Sequence, residues 1–103
     1  MAAKTKKTHF SHPGVLLLEE FLEPLGIKPG SLARAIGVDR ARVKTIIDGQ
    51  RDITADTALR LAKFFGTTSA FWMNLQQHYD LALAEVSISR QLRKIETVDT
   101  ARV

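Results

Sequence analysis

The stretch GVDRARVKTIIDGQRDIT, residues 37–54, combines a helical pattern of apolar side chains with a high density of basic ones. Its apolar residues stand at the i, i+3 and i+4 spacing that defines one face of a helix: Val43, Ile46 and Ile47. Asp39 is of a type that caps helix N-termini, and Gly49 is of the type that ends helices in the left-handed conformation. The stretch therefore predicts a helix of about two and a half turns, which is too short to be stable without packing partners.

The outward face of this predicted helix is polar and basic. The four cations of the stretch are Arg40, Arg42, Lys44 and Arg51. The residues that the apolar stripe leaves on the outside are Ala41, Lys44, Thr45 and Asp48. A basic face on a short packed helix is either an ordinary solvated surface or a docking surface for an anion.

Length and composition narrow the class of protein. The chain has 103 residues, of which 45% are hydrophobic and 25% charged, so we expect one globular domain with a modest core. It contains no cysteine, which excludes disulfides, thiolate catalysis and cysteine-ligated metals and favours a reducing, cytoplasmic location. Because it has neither a long apolar run nor a signal-peptide pattern, we expect no membrane partner.

Charge is unevenly distributed along the chain. Residues 1–51 carry nine Lys and Arg against five Asp and Glu, whereas residues 52–103 carry six of each. The whole net charge of +4 therefore comes from the first half. This asymmetry suits a nucleic-acid-binding face, although a solubilising excess of Lys and Arg would produce it too.

Four more helices are predicted around the opening stretch, and no segment has a convincing strand pattern. In the first helix, Ser11 or His12 can act as the cap, Pro13 suits the first position, and Pro24 with Gly26 ends it. The residues before it, rich in lysine, predict a flexible basic tail.

The other three helices have equally clear boundaries in the sequence. The second opens at Pro29 and ends at Gly37, which makes the turn into the opening stretch. The fourth runs from a Thr54 cap to Gly66, and the fifth begins at Ser69. We therefore expect an all-α fold of five helices.

The second and third helices have the spacing of a helix-turn-helix, with a small residue, Ala33, at the crossing and Gly37 in the turn. The apolar residues that would lock the pair are Leu32, Ile36, Val38, Val43 and Ile46. The pattern resembles the lambda-repressor-like class, in which the second helix of the motif enters the DNA major groove. The alternative is a helical hairpin whose basic face is only solvated.

Two further stretches of the chain are distinctive: HPGVLLLEEFLEPLG and ITADTALRLAKFFGTTSAFWMNLQQHYDL. With them the chain resembles the HigA-type antitoxins of bacterial toxin-antitoxin modules, and the resemblance extends over about residues 12–98. It implies a dimeric protein that binds operator DNA, represses its own operon and neutralises a toxin similar to the RelE-type endoribonucleases, which cut messenger RNA. The sequence departs from the common pattern at Lys28, where a Ser or Thr cap is usual, and at Asp39, which is followed by an Arg-rich start to the recognition helix. These departures affect the expected operator and not the fold.

From the helix pattern and the resemblance together we expect three parts in the chain: a flexible basic tail at residues 1–11, a DNA-binding and dimerisation domain at 12–98, and a short tail at 99–103. The expected DNA partner is a double-stranded inverted repeat. A solitary transcriptional regulator of the same fold, without an active toxin, is the alternative function.

The expected DNA contacts are Lys28, Ser31, Arg40, Ala41, Arg42, Lys44, Thr45 and Arg51. Arg40 opens the recognition helix and is expected to form a bidentate bond to a guanine, while Ala41 can touch a thymine methyl group. Thr45 can bond to a base edge or to a phosphate. The remaining residues are expected at phosphates, Lys28 and Ser31 because they open a helix whose N-terminus favours anions. Plain surface charge is the alternative for each.

The last predicted helix carries two apolar stripes. One consists of Phe71, Leu75, His78 and Ala82, and the other of Trp72, Tyr79, Leu83 and Val86. The second stripe has no obvious layer to pack against in so short a chain, so we expect a homodimer formed through it.

The longest acidic cluster is Glu19, Glu20 and Glu23 on the first helix, and we expect it to contact a basic toxin. A merely solvated helix face is an alternative, and the tail at residues 1–11 is a rival toxin site.

His9 and His12 are three residues apart without a third ligand, so we expect His9 to belong to the tail and His12 to cap a helix, and we expect no metal site. The sequence has no catalytic constellation, and we expect no enzyme activity, no cofactor and no small-molecule substrate.

Overall fold

The computed structural model describes residues 11–99. The predicted tails at residues 1–11 and 99–103 lie outside this range, apart from Ser11 and Asp99. The described residues form helices and contain no strand. The helices are α1 at residues 13–25, α2 at Pro29–Ile36, α3 at Arg40–Ile47, α4 at Ala55–Phe65, α5 at Ser69–Ser87 and α6 at Ser89–Arg93. The predicted all-α class is confirmed.

The number of helices differs from the five predicted because the last one is divided. Ile88 has φ −112° and ψ 23°, which lies outside helical geometry and separates the short α6 from α5. None of the helices in the described range is long and apolar enough to cross a membrane.

Side-chain caps account for most of the helix starts. The Asp39 carboxylate accepts from the Arg42 amide at 3.1 Å, and the Thr54 hydroxyl accepts from the Thr57 amide at 3.4 Å, so both predicted caps are confirmed. The α5 helix is capped by Thr68, one residue before the predicted start. The α2 helix, in contrast, has no side-chain cap.

The helix-turn-helix forms as predicted. Gly37 has φ +75°, a conformation that glycine adopts without steric cost, and the Val38 amide donates to the carbonyl of Ala33 at 3.0 Å to close the turn. Five of the six residues that pack α2 against α3 are buried, and the sixth, Val38, is half-buried. The buried five are Leu32, Ala33, Ile36, Val43 and Ile46. Burial of this set fixes which face of α3 remains outside.

The HPG segment joins α1 to the end of α3. Of the two residues predicted as a possible cap, His12 is the one used, because its Nδ1 accepts from the Gly14 amide at 3.0 Å. A Cβ atom on Gly14 would overlap the carbonyl oxygen of Ile46, so only glycine allows this approach of the two backbones. The start of α1 therefore supports the C-terminal end of α3.

Pro24 does not end α1 as predicted. It lies in the last turn, and the helix ends at Gly26, which has φ +67°. The preceding segment, Leu17–Leu22, is π-helical, and the Glu23 amide donates to Leu18, five residues back. Since proline lacks an N–H and crowds the carbonyl four residues before it, a widened turn accommodates Pro24 without breaking the helix.

The α4 helix also differs from its sequence pattern, which predicts one apolar face made of Ala58, Leu59, Leu61, Ala62 and Phe65. Ala58 and Leu61 are buried as this pattern predicts, but Leu59 is 61% exposed. Adjacent positions on a helix point about 100° apart, so Leu59 cannot share the face of Ala58.

The first half of α5 is packed into the body of the protein. Trp72 is 0% exposed, its Nε1 donates to the Thr67 hydroxyl at 2.7 Å, and its ring lies 4.9 Å from that of Phe21. The Gln76 side chain is buried too, and its Oε1 accepts from the Ile53 amide at 2.7 Å. These contacts anchor α5 to α1 and to the loop between α3 and α4.

Candidate nucleic-acid interface

The packing of one face of α3 against the core determines which side chains its other face exposes to solvent. Val43 and Ile46 are buried, which turns Arg40, Ala41 and Lys44 towards solvent. The helix is held at its start by the Asp39 cap and at its end by Gly49, with φ +78°. A short, rigid helix with an exposed basic N-terminal half is the arrangement that a major groove admits.

The N-termini of α2 and α3 lie close together. The Arg40 side chain lies alongside Gly30, where a Cβ atom would stand 3.6 Å from its Nε. Lys28 and Ser31, at the start of α2, are exposed. Because no side chain caps α2, the amides of Gly30 and Ser31 have no helical acceptor and are available to an anion.

The C-terminal end of α3 contributes two more cations. Arg51 is exposed in the loop after Gly49, and its amide donates to the carbonyl of Thr45 at 3.1 Å. Lys44 is exposed, and its Nζ lies 3.4 Å from the Asp48 carboxylate, a weak surface pair that a phosphate can replace. The predicted phosphate contacts thus stand at both ends of the recognition helix.

Two predicted DNA contacts are engaged within the protein. The Thr45 hydroxyl donates to the carbonyl of Ala41 at 2.7 Å, so its oxygen is left to accept and not to donate. Arg42 is half-buried, and its Nη1 donates to the Asp56 carboxylate of α4 at 2.9 Å. The predicted phosphate role of Arg42 is therefore weakened, since its charge already has a partner.

Asp56 also accepts from a second arginine. Nε of Arg60, one turn further along α4, donates to the same carboxylate oxygen at 2.7 Å. The hydrogen bonds from Arg60 and Arg42 hold the pKa of Asp56 below its usual range. The spacing of Asp56 and Arg60 is visible in the sequence, but their link to Arg42 is not, because 14 residues separate Arg42 from Asp56.

The predicted dimer residues do not share one surface. Trp72 is fully buried in its own chain, so its placement in a dimer interface is corrected: it is a core residue. Tyr79 is half-buried, with its ring edge-on to His12 at 5.1 Å. Leu83 and Val86 are 53% and 77% exposed, as an unpaired interface would leave them.

The predicted toxin contacts lie in or next to the π-helical segment of α1. Glu19 is half-buried, whereas Glu20 and Glu23 are exposed. Within residues 11–99 the structure shows no ion pair for any of the three carboxylates. Their charge is therefore available to a partner. The same part of the chain contains no cluster of three potential metal ligands.

Known proteins share both the fold and much of the sequence. A family model described as helix-turn-helix matches residues 18–72. The antitoxin HigA-1 of Vibrio cholerae is 45% identical over 78 residues, 76% of this chain and 72% of that protein. An Escherichia coli K12 protein, described as the uncharacterised HTH-type transcriptional regulator YbaQ, is 46% identical over 88 residues, 84% of this chain and 78% of that protein.

A solved structure extends the similarity to a DNA complex. The Pseudomonas aeruginosa antitoxin HigA, solved with the higBA promoter, superimposes with a TM-score of 0.83 at 43% identity. The match covers 86% of this chain and 98% of that one. With the helix-turn-helix in place and relatives of this similarity along most of its length, the chain belongs to the HigA antitoxin family of helix-turn-helix DNA-binding regulators.

Proposed function

We propose that this protein is the antitoxin of a toxin-antitoxin module that binds its operator as a homodimer, represses its own operon and neutralises a RelE-like toxin. The observation that carries the DNA-binding part is the exposed face of α3, with Arg40, Ala41 and Lys44 outward and Val43 and Ile46 buried. The promoter complex of the P. aeruginosa relative supports the same use of the fold. Such a repressor acts on DNA in the cytoplasm.

We assign the contacts with DNA bases to the start of α3. Arg40 extends from its first turn and can form two hydrogen bonds with a guanine, and Ala41 can contact a thymine methyl group. Phosphates on either side are bound by the free amides at the start of α2, by Lys28 and by Arg51. The protein thus separates base contacts, at the centre, from positioning contacts, at the edges.

A dimer is supported by the apolar surface that one chain leaves exposed. No residue after Gln76 in the described range is buried. The large hydrophobic side chains exposed there are Leu81, Leu83, Val86, Ile88, Leu92, Ile95 and Val98. So many large apolar side chains exposed on one segment are typical of a surface that a partner covers, so we assign this segment to pairing with a second copy. A two-fold dimer would present two α3 helices to half-sites about one helical turn apart, roughly 34 Å.

Toxin neutralisation is assigned to the acidic face formed by Glu19, Glu20 and Glu23. A ribonuclease needs a basic surface to bind RNA, and an acidic face complements it. The face lies on α1, a different helix from the α3 surface assigned to DNA, so both partners can be bound at once. The basic tail at residues 1–11 remains the rival site.

The DNA part of the proposal is tested by gel shift with the DNA upstream of the protein's own gene. We expect an inverted repeat to be bound with a steep salt dependence, because a dimer with at least six phosphate contacts loses about 10³-fold affinity between 50 and 200 mM salt. Binding that does not distinguish this DNA from an unrelated duplex would contradict the proposal.

The toxin part is tested by co-expression with the product of the adjacent open reading frame. Rescue of growth supports the antitoxin function, whereas operator binding without a toxic neighbour supports the solitary regulator. The double variant Glu19→Lys/Glu23→Lys then locates the site. If this variant still binds the operator but no longer rescues growth, the acidic face is the toxin site. If it still rescues growth and deletion of residues 1–11 abolishes the rescue, the tail is the toxin site.

A further inference from the structure

A chain of hydrogen bonds connects the recognition helix, α3, to α4 and to the end of α2. Arg42 on α3 donates to Oδ1 of Asp56 on α4 at 2.9 Å, and Arg60 donates to the same oxygen at 2.7 Å. Nη1 of Arg60 in turn donates to the carbonyl of Ile36 at 2.7 Å and to that of Gly37 at 3.3 Å. Ile36 is the last residue of α2, and Gly37 is the turn.

The path runs through the elements that set the angle of α3. The α2 helix, the turn and α3 form the DNA-binding motif, and α4 lies outside it. Arg60 closes over the turn so tightly that a Cβ atom on Gly37 would stand 3.2 Å from its Nη1. A guanidinium group at the C-terminal end of α2 satisfies carbonyls that the helix leaves without a partner and complements the helix dipole.

We propose that Asp56 and Arg60 are positioning residues for DNA recognition, which hold α3 at its docking angle through Arg42 and through the end of α2. This inference rests on the proposed operator binding. It assigns Arg42 to orientation and not to a phosphate, because its guanidinium group is already bonded to Asp56. Asp56 and Arg60 contact neither base nor phosphate in this account; they fix where Arg40 and Ala41 point.

The positioning role and plain electrostatics predict opposite signs for Asp56→Asn. Removing a negative charge from a DNA-binding protein strengthens binding to any duplex, since fewer carboxylates repel the phosphates. Loss of the positioning bonds instead weakens binding to the operator alone, because geometry matters for base contacts and little for non-specific ones. The informative quantity is therefore the ratio of operator affinity to non-specific affinity.

Asp48→Asn is the matched control. Asp48 follows α3 directly and pairs with Lys44 of the same helix, so its removal changes the charge equally and breaks no bond to α2 or α4. Arg60→Lys is the complementary variant, because it keeps the charge but lacks the planar fork that reaches the Asp56 carboxylate and the carbonyls of the turn at once. Thermal melts of all variants confirm that binding is compared between folded proteins.

The experiment measures affinity for the operator and for an unrelated duplex at one salt concentration. We expect the specificity ratio to fall about 3- to 10-fold in Asp56→Asn and in Arg60→Lys, and to stay at the wild-type value in Asp48→Asn. Equal ratios for Asp56→Asn and Asp48→Asn would overturn the positioning role. Failure of the wild-type protein to select the operator would instead count against the proposed function.

Hydrogen exchange gives a readout that needs no DNA. The amides of Gly37 and Val38 are bonded in the turn, and we expect both to exchange faster in Asp56→Asn and Arg60→Lys than in Asp48→Asn. Unchanged exchange in the turn of both α4 variants would contradict the inference whether or not an operator is known.

Discussion

The two halves of α5 lie in different environments. Every buried residue that the structure describes falls between His12 and Gln76, and the first half of α5 contributes Trp72 and Gln76 to that body. From residue 77 to residue 99, a segment we call the arm, no residue is buried. One helix therefore begins in a domain that is packed within a single chain and continues into a segment whose large apolar side chains stay exposed in that chain.

This difference separates two kinds of stability. Contacts in the body act within one chain and do not depend on protein concentration, whereas in the proposed dimer the exposed apolar side chains of the arm make their contacts only on association. The surface assigned to DNA lies entirely on the body, and the arm would set the spacing between two such surfaces. Substitutions in the body should therefore lower the stability of each chain, whereas substitutions in the arm should weaken dimerisation.

The largest effect is expected for Trp72→Ala in the body. The substitution leaves a cavity beside Phe21 and removes the hydrogen bond to Thr67, and we expect a loss of about 3–5 kcal/mol in the free energy of unfolding. Urea denaturation at several protein concentrations measures it. The control is Phe64→Ala, whose ring is 42% exposed and should cost far less. Similar losses for the two variants would contradict the placement of Trp72 in the core.

The next effect is expected for Leu83→Arg in the arm. A charge in the dimer interface should yield a folded monomer whose operator affinity falls about 10²- to 10⁴-fold, since each half-site loses its link to the other. Gel shift and light scattering check this. Leu59→Arg is the matched control, because Leu59 is comparably exposed at 61% but lies on the body. A Leu59→Arg variant that also became monomeric would count against the assignment of the arm.

A smaller effect separates two residues within α3. Arg40→Ala should cost about 1–3 kcal/mol at operators with the preferred base and little at unrelated DNA. Lys44→Ala should weaken binding to all sequences and flatten the salt dependence. Gel-shift series on both DNAs distinguish these outcomes, and two variants that left every affinity unchanged would contradict the role of α3.

The smallest effect concerns pH and Asp56. Because its pKa is lowered, the stabilisation from its arginine partners is complete above the ordinary pKa of 3.8 and is lost as pH falls through the lowered pKa. We expect a difference in melting temperature between wild type and Asp56→Asn of a few degrees at most, constant from pH 7 to 5 and shrinking below pH 4. Calorimetry tests this, and a difference that changed between pH 5 and 8 would contradict it.

Much of the body was predictable from local signals. The Asp39 and Thr54 caps, the Gly37 turn and the apolar lock between α2 and α3 each depend on residues a few positions apart. The signals failed at two places, one decided by local helix geometry and one by a contact between distant residues. Pro24 was predicted to end α1, but a π-helical turn accommodates it, and Trp72 was predicted at a surface although its phase on α5 faces Phe21.

The candidate site was predictable from the sequence where it depends on helical phase, but not where it depends on contacts between distant residues. Exposed residues at the start of α3 follow from helical phase, so Arg40 and Ala41 were assigned from the pattern alone. The engagement of Arg42 with Asp56 joins residues 14 positions apart, and no periodicity indicates it. The need for glycine at position 14 likewise arises from the distant Ile46 carbonyl.

The most direct test of the account is the molar mass of the wild-type protein in solution. Sedimentation equilibrium at tens of micromolar should give a dimer of two 11.5 kDa chains, about 23 kDa, and Leu83→Arg under the same conditions should give 11.5 kDa. A wild-type mass of 11.5 kDa at that concentration would show that the arm needs no second copy, and would contradict the assignment of its apolar surface to a dimer.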